Sequence, residues 1–499
     1  MHKEKTKELT MLIETDYTKT YLLPPSIEDW IPEDHPVRFI RDFVDTINLN
    51  EYGLAENVSE EGRPSYSNNM LLKIWLYSYY EKIYSTRQIE KSCRNQIPMI
   101  WLTTQNTPDH NTIWRFFKKN KSNLKKIFKQ TVQIAVINNM VGFVVQAVDG
   151  TKIKADVSKD KLLYGPDLSE LLAKVNESIE KANEKIEGHE KTDKGTPTDR
   201  LPKKMYGKKK LQQLIRHGIE ELKEEEKLLL KENLEEGLER LSKEKRKKLN
   251  TTDKDCRLIK TKGGKDFCYN AQSIVDSKNQ IILGALATNE ETDNHQLIKM
   301  IEEAKSNSGK TSKETLGDTG YFSGEELQKA EEAGYSVLVN QPRSLSRKPY
   351  GFRKEDFTYD SKKDCYICPQ KEELKFKSTH KRNNKNALVS IYRCNKFRNC
   401  EYRHDCSTDK SGRKIEKYEF EDALQRQRDR HKKKENKELL KTRSQIVECV
   451  FGWIKHNGNF HRWHYRGLES VDAQWILLCS AVNLRKLYGY WSKNKLVIS

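Results

Sequence analysis

Long apolar runs are missing from this 499-residue chain. No uninterrupted stretch approaches the ~20 residues that cross a bilayer. The opening MHKEKTKELT is charged and has no apolar run behind it, so neither a membrane span nor a secretory leader is expected. Acidic residues are outnumbered, 73 Asp and Glu against 92 Lys and Arg, for a formal charge of +19. A cationic surplus of that size favours a polyanionic partner, and nucleic acid is favoured over a membrane surface. Cysteine is sparse outside one segment, with five of the ten at 365–406. Clustered thiols with no secretion signal read as metal ligands rather than disulfides. Aromatic residues almost vanish between 156 and 250, where Lys and Glu dominate, which points to a solvated insertion.

What is present divides the chain. Residues 1–140 read as a helical, DNA-binding domain. MLLKIWLYSYYEK is apolar enough for a core helix, Ser85 caps TRQIEKSCRN, and Pro108-Asp109-His110-Asn111 precedes TIWRFFKKNK. A short helix, a turn and a basic helix resemble a helix-turn-helix unit, with Arg87, Arg115, Lys118 and Lys119 as candidates for DNA contact. Residues 141–155 form a strand. In the insertion at 156–250, Leu168, Leu172, Val175, Ile179, Ala182 and Ile186 step by 4, 3, 4, 3, 4, a heptad seam. A Pro/Gly linker follows, then a second amphipathic helix, so a helical hairpin is expected. Strands return at 251–345, a Cys-rich insertion fills 346–425, and a helical end occupies 426–499, where AQWILLCSAVNLRKLYGYW predicts a closing core helix with Trp475 and Cys479 inside.

Three carboxylates stand out within this frame. Asp149 in VVQAVDGTKIKA and Asp318 in ETLGDTGYFS each end an apolar, β-rich run. Glu448 in TRSQIVECVFGWIKHNG lies on a helix whose Ile446, Val447, Val450, Phe451 and Ile454 recur on one face. Lys455 follows Glu448 by seven residues, two α-helical turns. Brought together, three carboxylates suit two Mg²⁺ (or Mn²⁺) ions and phosphoryl transfer. Most of the 73 acidic residues are surface groups, and for any single Asp a turn or capping role is the commoner one. The set in order is what argues for a site. The elements run strand, strand, strand, helix, strand, helix, strand, with the Glu448 helix last. That is the order of an α/β RNase H-like core, here interrupted after its first strand and again before its last helix.

With those elements placed, the chain resembles the DDE-class transposases of bacterial insertion sequences. VDGTKIKA resembles that family's first Asp strand, CYNAQSIVD its next strands, LGDTGYFS its second-Asp motif, and IVECVFGWIKHNGNFHRWHYRGLESV the segment with its Glu and a Lys seven later. PSYSNNMLLKIWLYSYYEKIYSTRQIEKSC and PDHNTIWRFF resemble the helical domain that precedes the core in one large subgroup. The resemblance implies Asp149, Asp318 and Glu448 as catalytic metal ligands, with Asp149 bridging. It also implies double-stranded DNA (element ends and target) as partner, a homodimer on DNA, and a cytoplasmic, nucleoid-associated place. A DNA-binding descendant without activity and a plain RNase H-like nuclease are the competing readings. The family often has Tyr seven and Arg four residues before its Glu. Here those positions hold Lys441 and Ser444, with Arg443 one step away, so Lys441, Arg443 and Lys455 are the candidate phosphate contacts near Glu448.

The cysteines form the second motif. Cys365 and Cys368 make a Cys-x2-Cys pair, and Cys394, Cys400 and Cys406 follow. One structural Zn²⁺ needs four ligands. Cys368, Cys394, Cys400 and Cys406 are the candidate set, with Cys365 spare and His404 a competitor.

Overall fold

A computed structural model describes residues 26–55, 65–186, 224–261, 263–342, 352–381, 388–407, 409 and 411–494. The expected linker at 192–204 and the start of the second insertion helix lie outside the described residues.

The first half of the fold is helical because its caps and apolar spacing both ask for it. Pro36 opens the helix Pro36–Asp45, and the Nδ1 of His35 accepts from the Val37 amide. Asp109 caps His110–Asn120 by accepting from the amides of Asn111 and Thr112. Ser85 takes the cap position of Thr86–Asn95, but its side chain makes no capping bond. The helix Asn68–Tyr80 is buried from Leu71 to Tyr80 except at Lys73, as befits a central helix.

These helices share one continuous core with a mixed sheet. The Phe117 ring lies 5.1 Å from that of Trp75 and 4.8 Å from that of Tyr465, so a contact spanning most of the chain joins the two regions. The strands are β1 (Val145–Lys154), β2 (Leu162–Tyr164), β3 (Lys248–Asn250), β4 (Arg257–Thr261), β5 (Gly264–Asp276), β6 (Ile282–Thr288), β7 (Glu314–Gly317) and β8 (Val337–Val339). Sheet order is β6-β5-β1-β7-β8, with β4 on the first residues of β5. β5 is antiparallel to β1 and β6, whereas β7 is parallel to β1 and β8. Residues 266–276 of β5 are all buried, the polar Asp266, Asn270, Gln272 and Asp276 among them. The closing helix Leu468–Asn494 packs on β5, β6 and Asn68–Tyr80. Its Trp475 and Cys479 are fully buried, as expected.

The insertion after β1 begins with the β2–β3 pair and continues as the helices Gly165–Ile186 and Glu224–Lys243, which pack on each other. Leu168 and Val175 of the heptad seam are buried against Leu230, Leu234 and Leu241, and Leu171, off the seam, is buried too. The seam is therefore occupied within the chain, and it gives no support to a second copy. Next in sequence, β9 (Thr358–Asp360), β10 (Cys365–Ile367), β11 (Glu373–Lys381), β12 (Leu388–Cys394) and β13 (Lys414–Tyr418) form an antiparallel meander in sequential order. Its own core is small: Phe357, Tyr366, Leu374, Tyr392 and Ile415. Among the described residues no helix is long and apolar enough to cross a membrane.

The shared core makes a prediction. Phe117→Ala should lower the unfolding free energy by about 3–5 kcal/mol in chemical denaturation. A loss below about 1 kcal/mol would mean that the helices and the sheet do not depend on one another.

Candidate active site

Asp149 sits within β1, opposite Ser273 of β5. The parallel register pairs Ala147 with Leu316, so two residues further along Asp149 comes level with Asp318, just beyond β7. Asp318 caps the short 3-10 turn Thr319–Tyr321, and its Oδ1 accepts from the Gly320 amide at 2.8 Å. The bland capping role and a place in the site thus coincide. Glu448 lies on the helix Lys434–Gly452, which packs across β1, β5, β7 and β8. Ile446, Val447, Val450, Phe451 and Ile454 are buried as their spacing predicted, while the Glu448 side chain is 56% exposed.

Arg443 joins the carboxylates. Its guanidinium lies 3.1 Å from Asp149 Oδ2 and 3.1 Å from Glu448 Oε1, and its side chain is largely buried. Burial, the largest influence, pushes the Asp149 carboxyl up to about 6; Arg443 opposes the shift and the charge of Asp318 adds to it. Asp149 and Asp318 are thus neighbours, and Glu448 is linked to Asp149 through a cation. Among the described residues no three His, Cys, Asp or Glu side chains already converge closely enough to hold a metal ion.

A fourth carboxylate escaped the sequence reading. Asp293 Oδ1 accepts from Lys152 Nζ at 3.0 Å, Asn270 Nδ2 at 2.7 Å and Gln272 Nε2 at 2.6 Å. Gln272 Oε1 in turn accepts from the Tyr321 hydroxyl. Tyr321 is fully buried, and burial with the charges of Asp293, Asp149 and Asp318 raises its phenol well above the usual range. Gly150 is required here, because a Cβ would stand 2.2 Å from Gln272 Nε2 and 2.6 Å from Asp293 Oδ1. In sequence, Asp293 is hidden in TNEETDN, where Glu290 and Glu291 are equally plausible.

The basic candidates are dispersed. Arg87, Arg115, Lys118 and Lys119 are all exposed on the N-terminal helices. Lys441 is exposed and pairs with Glu438 at 2.7 Å. Lys455 is half-buried in a π-helical segment, Trp453–Asn457. In the cysteine module, Cys368, Cys394, Cys400 and Cys406 line one cavity, and Cys365 and His404 are not among its lining residues.

Neighbouring carboxylates on a mixed sheet, in a chain this basic, suit chemistry on a polyanion. Comparison with known families adds to this. The family model described as Transposase domain (DUF772) matches residues 25–119, and the one described as Transposase DDE domain matches residues 367–488. Each match covers less than half of the chain; together they support a DDE-class insertion-sequence transposase, a family that implies DNA as partner. Such DDE enzymes cut and transpose DNA and generally use divalent metal ions. The second match takes in the cysteine module, Glu448 and Lys455, and stops short of Asp149 and Asp318. No curated protein matches the chain.

The raised Asp149 carboxyl sets a pH dependence. The folded protein holds this proton more tightly than the unfolded chain, so its stability relative to Asp149→Asn falls as pH rises from about 4 to about 6. In metal-free buffer the stability difference between the two proteins should change by on the order of 2 kcal/mol between pH 4 and pH 7, in favour of the variant. Parallel pH–stability curves would place the carboxyl at its ordinary value.

Proposed function

We propose that this transposase binds the terminal inverted repeats of its own element, cleaves phosphodiester bonds there and joins the freed 3′-OH ends to target DNA. The observation that carries the proposal is Asp149 and Asp318 side by side at adjacent parallel strands, with Glu448 tied to Asp149 by Arg443. The strand order β6-β5-β1-β7-β8, in which β5 alone of these five runs opposite to the others, supports an RNase H-like core.

The donor set fits hard divalent cations such as Mg²⁺ or Mn²⁺, because all three side chains offer carboxylate oxygens and nothing softer. Asp149, Asp318 and Glu448 would hold them. When bound, they supply Lewis acidity to an attacking water or 3′-OH and to the leaving 3′-oxygen. The chain's own contribution is positional. The β1–β7 register aligns the two Asp side chains, and the apolar face of Lys434–Gly452 fixes Glu448 over the sheet. Arg443 keeps the buried Asp149 carboxylate charged and ready for a cation, against the burial that would protonate it. Arg87, Arg115, Lys118 and Lys119 present exposed charge to backbone phosphates, a contact that fixes register and orientation. Two copies on two element ends follow from the need to join both.

The test uses labelled DNA carrying the element's ends, with Mg²⁺ and the full-length protein. Parent protein should nick the 3′ ends and join them to target. Asp318→Asn should do neither, while end binding stays within about threefold, since phosphate contacts carry most of the affinity. Equal cleavage by parent and variant would remove Asp318 from the mechanism. Tight end binding with no cutting by either protein would favour a DNA-binding descendant without activity.

A further inference from the structure

The cysteine module carries a chemistry of its own, independent of the transposition reading. Four sulfurs from separate stretches of chain face one cavity: Cys368 in the turn after β10, Cys394 at the end of β12, Cys400 after the turn Phe397–Asn399, and Cys406 at the end of Arg403–Cys406. None is in a disulfide. Cys365, three residues before Cys368, is buried outside this cavity, with Asp360, Lys363 and Glu373 as its charged neighbours. Because successive strand residues point to opposite faces, Tyr366 enters the module's core while Cys365 points away from it.

The backbone around these sulfurs is shaped for thiolates. In the turn after β10 the Lys371 amide donates to the Cys368 carbonyl at 2.8 Å, and Lys371 itself adopts a φ of 64°. That left-handed step aims the Glu372 amide at Cys368 Sγ, 3.3 Å away. The Lys396 amide likewise donates to the Cys394 sulfur. An amide aimed at sulfur favours the charged form and orients a ligand. Among the described residues the four thiols are not already gathered closely enough to hold a metal ion.

The second line of argument is the size of the core. Five buried apolar side chains hold a five-stranded meander in which most of β11 is exposed. Modules that small are held by disulfides or a metal, and disulfides are absent here.

We propose that Cys368, Cys394, Cys400 and Cys406 bind one structural zinc ion as a closed tetrathiolate. Zn²⁺ displaces the four S–H protons to solvent and forms four Zn–S bonds, with no change in oxidation state. Arg413 and Lys396, both lining the cavity, offset the anionic centre that results.

The test is metal analysis of the full chain purified under reducing, chelator-free conditions. About one zinc per chain is expected, and replacement by Co²⁺ should give the visible d–d bands and sulfur-to-cobalt charge transfer of a tetrahedral thiolate site. Cys394→Ser and Cys406→Ser should lose the metal, and Cys365→Ser should keep it. Co²⁺ spectra of the parent answer the question even where the serine variants fail to fold. Absence of stoichiometric metal, a cobalt spectrum without thiolate bands, or loss of metal from Cys365→Ser would overturn the assignment.

Discussion

Carboxylates that must work together repel each other, and the centre of this protein is arranged around that repulsion. Two like charges 4 Å apart at an effective dielectric of 20 oppose each other by about 4 kcal/mol. For Asp149 burial is the larger influence and the charge of Asp318 adds to it, so its proton is held up to about 6. Arg443 is the counterweight, a single guanidinium within 3.1 Å of both Asp149 and Glu448. It occupies the electrostatic position that divalent cations would take, so the metal-free protein keeps a cation among its carboxylates. Gly150 and Gly320 serve the same end by sparing room. A side chain at Gly320 would stand 3.0 Å from Asp318 Oδ1 and 3.1 Å from Asp293 Oδ2.

What sequence could reveal of this site followed from periodicity. Asp149 and Asp318 were visible because each closes an apolar run; the expected strand end holds for Asp318, whereas β1 continues past Asp149 to Lys154. Glu448 was visible because the apolar residues around it define a face and leave it on the other. Arg443 was picked out as a phosphate contact, but its place between Asp149 and Glu448 was not visible, and the reason is geometric. Five residues along an α-helix turn through about 500°, so Arg443 and Glu448 do not share a helix face. Only a side chain as long as Arg, crossing toward β1, brings them into contact. Asp293 was hidden by acidic neighbours, and its role depends on Gln272, Asn270 and Lys152, which come together only through the β1–β5 pairing. The strands of the cysteine module were equally silent. β11, ELKFKSTHK, is mostly solvent-exposed and lysine-rich, so no buried face marks it in the sequence.

Periodicity in the insertion was also read correctly. The seam beginning at Leu168 is real, and the helix Glu224–Lys243 of the same chain covers it, as in the helical hairpin that was expected. A heptad pattern reports that a stripe is buried and is silent about what buries it. The same lesson applies at residue 140. Composition shifts there from helix to strand, whereas Trp75, Phe117 and Tyr465 pack across the shift and bind both sides into one core.

The cysteine module stands apart from that core, but it is not mechanically separate from the acidic site. Lys354, at its start, and Arg428 both pair with Glu421 at 2.8 Å, and the Glu421 side chain is only 9% exposed. A buried carboxylate held by two cations is hard to break at one end. Glu421 begins the helix Glu421–Lys432, and Gln427 and Arg430 of that helix both donate to the Val337 carbonyl of β8. Arg430 also reaches Glu314, the first residue of β7, whose end carries Asp318. The next helix, Lys434–Gly452, carries Arg443 and Glu448. The helix Glu421–Lys432 is therefore a splint between the module, the Asp318 strand and the Glu448 helix. Whatever stiffens the module fixes one end of that splint, and the placement of Glu448 over Asp149 inherits the stiffness.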